Sequence, residues 1–322
     1  MIYHSDLEAD LCEYCNLRCK QCSHASPFFT HSDPSYGLDQ FTTDIGILSK
    51  KLHCEVFRVV GGEPLLNKRL AGYLEVIRAA KIADKVSLFT NGLLLTTADE
   101  RIFSLIDQLR ISIYPLPDNK LDQIQSGIDR VRKYSHLDIV ANNLTFFSKS
   151  NLIEKNPNPA QVQSIFDSCY HKKNSSSIFN GRLYRCFVTR KKFKHLQAHK
   201  ELVKGDISEL ASPDVDSIRV FPELSEYRLY QFLNTTTPLV TCSWCLGCSS
   251  KRVPITQLAP QELDYATLDD YDPSQGASQL SNCLLSWYRD KPKEFSTEKF
   301  ISPQHLPEFT QFHSLSAYSN NR

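Results

Sequence analysis

Seven of the eleven cysteines stand in two tight runs, Cys12, Cys15, Cys19 and Cys22 near the start and Cys242, Cys245 and Cys248 far along the chain. Spacing this close constrains the fold first, because thiols two or three residues apart must share a loop. The cysteine total is odd, and no basic-then-apolar leader opens the sequence. No run approaches the ~18 apolar residues of a membrane helix. The chain is therefore expected in the cytoplasm, where thiols stay reduced and clustered cysteines hold metal more often than disulfides. With 322 residues, 41% of them hydrophobic and 23% charged, it can bury a sizeable core, which excludes wholesale disorder.

Between the cysteine runs the sequence alternates in period. Residues 6–12 read as a strand, 38–52 as a helix and 56–60 as a buried strand. Helices over 66–80, 98–109 and 118–134 then alternate with strands over 86–90, 111–114 and 137–141. That rhythm predicts βαβ units and a parallel sheet, an α/β fold. It breaks near residue 150. Asn156-Pro157-Asn158-Pro159 is a turn or linker signal, and Asn180-Gly181 within 178–188 marks a two-residue hairpin. Beyond residue 250 the chain is polar and Pro-containing, expected to pack on the main body as an extension. Three segments follow: 1–165, 166–250 and 251–322.

Cys15, Cys19 and Cys22 form C-x3-C-x2-C after the first strand. Three thiolates on a tight loop can hold three irons of a [4Fe–4S] cube, leaving the fourth iron open to an outside ligand. Zinc on Cys12, Cys15, Cys19 and Cys22 is the alternative, although the three-residue gap between the pairs is short for a zinc fold. Gly61-Gly62-Glu63-Pro64 closes the second strand, at the face where parallel barrels keep their active sites. Its glycines admit close approach to the backbone, and Glu63 can accept from an ammonium.

With both motifs in place, the sequence resembles the radical S-adenosylmethionine (SAM) superfamily over residues 6–145. The resemblance implies a partial (β/α)6 TIM-like barrel with a [4Fe–4S] cluster on Cys15, Cys19 and Cys22. It also implies SAM chelating the open iron, with Gly61, Gly62, Glu63 and Pro64 near its amino group. Thr90, Asn91 and Ser112 would meet its ribose or carboxylate, although a turn and an ordinary strand serine explain them equally well. Reductive cleavage of SAM to a 5′-deoxyadenosyl radical would need a reducing partner such as flavodoxin or ferredoxin. Gln21 departs from the family, which usually has an aromatic residue before the last cysteine, so one packing contact to the cofactor is expected to be weaker.

The later cysteines resemble the Twitch/SPASM extension of the same superfamily, which opens with a cysteine, a spacer, a glycine, four residues and a cysteine, as at Cys169, Gly181 and Cys186. Too few cysteines follow for the two clusters of a full SPASM domain. One auxiliary [4Fe–4S] cluster on Cys169, Cys186, Cys242 and Cys245 is implied, with Cys248 able to replace either of the last two; a zinc ribbon is the other reading. Cys12, Cys54 and Cys283 are left as plain buried thiols.

The net charge of +1 conceals a polarised chain. Residues 168–200 hold nine Lys/Arg and no Asp or Glu, so the remainder carries −8. A solvated face, a counter-charge for a thiolate cluster and an anion site are the readings open for this stretch. In the first strand, if Leu7, Ala9 and Leu11 face the helices, Glu8 and Asp10 point into the barrel. A buried carboxylate needs a partner or a task. Either residue then binds a polyol or amine, acts as a base, or closes a salt bridge.

The stretches Ser23-His24-Ala25-Ser26-Pro27, Thr90-Asn91-Gly92 and Ile113-Tyr114-Pro115 resemble enzymes related to the radical SAM diol-dehydratase of apramycin biosynthesis. The layout is also similar to Twitch dehydrogenases of aminocyclitols. That resemblance implies a small polyol, sugar or aminoglycoside-like substrate, dehydrated or dehydrogenated. A peptide-modifying maturase is the enzyme rival, but a strand beginning by residue 6 leaves no room for an amino-terminal peptide-binding domain. A structural zinc-binding adaptor is the non-enzyme alternative. No nucleic-acid module is visible, and neither nucleic acid nor membrane is expected as a partner.

Overall fold

In the computed structural model, which describes residues 1–276, the first strand lies at the centre of the sheet. β1 (Ile2–Cys12) is flanked by β2 (Leu52–Gly61) and, on its other side, by β7 (Ser176–Phe179), both parallel to it. Its alternation sends Leu7, Ala9 and Leu11 into the core and Glu8 and Asp10 to the opposite face, where they too are buried. Helices α1 (Leu38–Leu48) and α2 (Leu70–Ala80) cover the apolar side with Phe41, Ile45, Leu70, Leu74 and Ile77, residues spaced three or four apart on one helical face.

The sheet continues through β3 (Ala83–Thr90), β4 (Gln108–Ile113) and β5 (Asp138–Asn143), all parallel, in the order β5-β4-β3-β2-β1-β7. This is an α/β sheet of the partial-barrel kind. The sixth parallel place is filled from the far side of β1 by β7, not by a sixth unit beyond β5. α4 (Asp118–Val131) forms where a helix was expected. The helix expected over 98–109 shrinks to α3 (Glu100–Ser104). Asp107 explains the loss: its N–H donates to Val86 O (2.9 Å) and its carboxylate accepts from Val86 N (2.7 Å), drawing the chain into β4.

β6 (Phe146–Ser148) leaves the main sheet, and α5 (Pro159–Ser168) and the short α6 (His171–Asn174) lead into β7. Asn180 and Gly181 take φ of 44° and 74°, joining β7 to β8 (Arg182–Tyr184) by the expected two-residue turn. The turn is anchored where Gly181 N–H donates to the buried Asp44 carboxylate (2.7 Å). α7 (Val188–Ala198) carries much of the basic stretch, and β9 (Ser217–Arg219) and α8 (Glu226–Leu233) follow. β10 (Arg252–Pro254) pairs with β6, so residues 251–276 are woven into the main body. Cys283 and the rest of the expected extension lie outside the described residues. No helix among the described residues is long and apolar enough to cross a membrane.

One close approach seats the loop after β1. Gly61 has φ of 142°, and a side chain there would overlap the Cys12 carbonyl oxygen. At Gly62 it would overlap the carbonyl of Tyr14. Gly62→Ala is expected to cost about 1–3 kcal/mol in chemical denaturation through this overlap. Gly46→Ala, with open space around it, should instead stabilise by about 0.5–1 kcal/mol.

Candidate active site

The carboxyl ends of β1 to β4 surround a cavity of about 250 Å³. Cys15, Cys19 and Cys22 line it together with Gly61, Gly62 and Ser112. The loop is fastened to the sheet by Gly62 N–H donating to Cys12 O (2.7 Å) and Glu63 N–H to Tyr14 O (3.1 Å). Burial raises the Cys15 and Cys22 thiols and pushes Cys19 up to about 12, so a metal must displace protons to bind there. N–H groups already point at two of the sulfurs. Leu17 N–H (3.4 Å) and Asn91 Nδ2 (3.6 Å) donate to Cys15, and Gln257 Nε2 (3.3 Å) donates to Cys19.

Glu63 is fully buried, and its carboxylate is occupied by the protein. It accepts from Thr90 Oγ1 (2.8 Å), Asn91 N (2.8 Å) and Leu65 N (3.1 Å). Burial pushes its pKa up to about 7 against these donors. Thr90 and Asn91 thus fix Glu63, while Asn91 Nδ2 also donates to Asn16 Oδ1 (2.7 Å) and ties β3 to the cysteine loop. Pro64, itself buried, begins a short turn, and Ser112 and Tyr114 also line the cavity. The space beside Gly61 and Gly62 is taken by the chain's own Cys12–Tyr14 backbone on one side and opens to the cavity on the other.

The two carboxylates of β1 have different surroundings. Asp10 is bound by Arg190 Nη1 (2.8 Å), Lys191 Nζ (3.2 Å) and His24 Nδ1 (3.0 Å). Burial alone would raise its pKa, but Lys191, His24 and Arg190 outweigh it and hold the carboxyl well below the usual range. Arg190 and Lys191 also pair with Glu13. Glu8, by contrast, lines the cavity at 4% exposure, and among the described residues its Oε1 has no hydrogen-bond partner. Burial, then the Asp10 charge, push its pKa up to about 8 against the pull of Arg58, which pairs with Asp6 (2.7 Å).

The second cysteine set gathers as well. Cys169, Cys186, Cys242, Cys245 and Cys248 all line a neighbouring cavity of about 160 Å³. Gly247, at φ 55° between Cys245 and Cys248, packs against Cys169, whose Sγ would lie 3.3 Å from a Cβ placed there. Ser23, Phe147 and His171 line both cavities and form the wall between them. Lys192 is fully buried on α7, donates to Asn151 Oδ1 (2.8 Å) and acts electrostatically on Cys245 and Cys186; burial lowers its pKa to about 8. The basic stretch therefore does not form only a solvated face: Arg190, Lys191 and Lys192 point inward to carboxylates and cysteines. Cys12 and Cys54 lie outside both cavities, each facing a backbone carbonyl (3.4 Å to Tyr14 O and 3.5 Å to Ile82 O).

No family model matches the chain. It is 28% identical over 155 residues to molybdenum cofactor biosynthesis protein 1 of Dictyostelium discoideum, covering 44% of this chain and 24% of that protein. It is 33% identical over 117 residues to GTP 3′,8-cyclase of Streptomyces coelicolor, covering 35% and 34%, and 23% identical over 268 residues to that of Staphylococcus epidermidis, covering 77% and 75%. The chain thus spans only a quarter to a third of the first two proteins' length. These relatives stand beside a three-cysteine loop seated on Gly61-Gly62. These homologues support a radical SAM protein.

For a radical SAM protein the donor set fits a cluster held by three cysteines. Three thiols share one wall, N–H groups address two of the sulfurs, and the cavity continues past them to Glu8 and Ser112. The second set offers up to five thiols with a buried cation beside them. Anaerobic reconstitution is expected to load about eight irons per chain, and about four when Cys15, Cys19 and Cys22 are replaced together by Ala. Cys12→Ala and Cys54→Ala should leave the count unchanged. Zinc without iron would contradict the assignment.

Proposed function

We propose that the chain is a radical SAM enzyme acting on a small polyol, sugar or aminoglycoside-like substrate, which it dehydrogenates or dehydrates. Cys15, Cys19 and Cys22 would hold the loop cluster, which would supply an electron to bound SAM and with it the means of taking a hydrogen atom from a substrate carbon. The chain's own residues select and orient that carbon. Thr90, Asn91 and Ser112 line this cavity, as do Gly61 and Gly62, which bring backbone to it without side chains.

Glu8 carries the substrate reading. Glu8 lines a cavity whose wall also bears Ser23, Ser112, Tyr114, Tyr170 and Ser175, and its Oε1 is buried with no hydrogen-bond partner among the described residues. Hydroxyl groups lining one cavity with a carboxyl suit a substrate with several hydroxyl or amine groups, because a buried polar atom left unpaired costs about 1–3 kcal/mol until a partner satisfies it. With its pKa near 8, Glu8 is mostly protonated at neutral pH and both donates to and accepts from a carbinol hydroxyl. Asp10 is held in its ion pairs and orients His24. A triphosphate fits this wall poorly: among the described lining residues Arg58 is the one Lys or Arg, and it is paired with Asp6. That argues against carrying the GTP of the cyclase relatives over to this chain.

Incubation under anaerobic conditions with SAM and dithionite should yield 5′-deoxyadenosine, with deuterium transferred into it from a labelled polyol or aminocyclitol and not from peptides. Glu8→Ala should raise KM roughly tenfold, the worth of one hydrogen bond in a dry site. Activity that needs the protonated Glu8 should fall as pH passes about 8, and Glu8→Gln, which cannot titrate, should remove that limb. Deuterium arriving only from peptides, or unchanged turnover in both Glu8 variants, would overturn the substrate reading.

A further inference from the structure

Residues 252–266 return from the second cysteine set and lie along the three-cysteine loop. Cys19 and Gln257 form an antiparallel bridge. Lys20 N–H donates to Thr256 O (2.9 Å), Leu258 N–H to Arg18 O (2.5 Å), and Arg18 N–H to Gln257 Oε1 (2.8 Å). Further on, Gln21 donates through its backbone N–H (2.5 Å) and its Nε2 (2.6 Å) to the two oxygens of Asp264. Asp264 is itself held between two buried histidines of α7: its N–H donates to His199 Nε2 (3.0 Å), and its carbonyl accepts from His195 Nε2 (2.9 Å). Gln21, at φ 57°, spends its side chain on this strap.

The orientation of Gln257 follows from these partners. Its Oε1 accepts from Arg18 N–H, so its Nε2 must face Cys19 Sγ, at 3.3 Å. A flipped amide would place N–H against N–H and oxygen against sulfur. The positive end of that N–H dipole therefore points at a sulfur that becomes more negative when an attached cluster gains an electron. Hydrogen bonds to cluster sulfurs are one of the terms that set the reduction potential. We propose that Gln257 is a positioning residue of the SAM-binding cluster, raising its reduction potential through Cys19, and that the strap over 252–266 exists to hold this contact. The inference rests on the cluster reading above.

Gln257→Glu separates the two contacts. A carboxylate keeps an acceptor for Arg18 N–H and loses the donor to sulfur, so the loop stays pinned while the potential changes. Gln257→Met removes both and guards against an effect peculiar to the added charge. The readout is the midpoint potential of the reconstituted full-length chain, followed by electron paramagnetic resonance on the signal that responds to SAM. Both variants should shift that midpoint to lower potential while the signal still responds to SAM. A midpoint equal to that of the unaltered chain in both variants would overturn the inference. Failure of the unaltered chain to take up iron would sink the cluster reading itself, a separate outcome.

Discussion

The site depends on how closely the Cys12–Tyr14 backbone lies against Gly61 and Gly62. Only residues without a Cβ let the end of β1 and the turn after β2 share hydrogen bonds, and that contact sets where the loop of Cys15, Cys19 and Cys22 begins. Glu63 completes the arrangement from below. Its buried carboxylate gathers N–H and O–H groups from Leu65, Thr90 and Asn91, so the ends of β2 and β3 are held together, and Asn91 reaches on to Cys15. The glycines serve backbone packing and cavity access at once.

Charge is handled in the same interior. β1 brings Glu8 and Asp10, and Glu13 follows it, while α7 answers with Arg190 and Lys191. Removing one partner from such a buried network costs about 3–5 kcal/mol, since the others are left uncompensated. The network thereby docks α7 onto the barrel and places Lys192 next to the second cysteine set. Glu8 stays outside these ion pairs, with its Oε1 buried and unpartnered among the described residues at the cavity wall.

Much of this was legible in local pattern. Alternation along β1 predicted Leu7, Ala9 and Leu11 inside and Glu8 and Asp10 on the opposite face, and Asn180-Gly181 predicted its hairpin. The spacing of the cysteines predicted two groups, and two groups line two adjoining cavities. What was not legible depends on distant partners. Nothing near Arg190 announces Asp10, 180 residues earlier, so the basic run left three readings open, and which of its residues turn inward to carboxylates shows only in the fold. Gln257 lies in a polar stretch with no motif, and its role appears only when it meets Cys19, 238 residues away. Asp107 ended a helix early because its sheet partner, Val86, outweighed local propensity. Gln21 looked like a lost aromatic contact, yet it exchanges that contact for two hydrogen bonds to Asp264.

With three irons held by Cys15, Cys19 and Cys22, as proposed, the fourth iron of the loop cluster would be open to SAM. Mössbauer spectroscopy of the chain reconstituted with isotopically enriched iron, recorded before and after adding SAM, addresses it directly. A single iron site of the loop cluster should change its isomer shift on SAM addition while the other sites do not. A spectrum unaltered by SAM, with every iron site already in a fully protein-ligated environment, would contradict it.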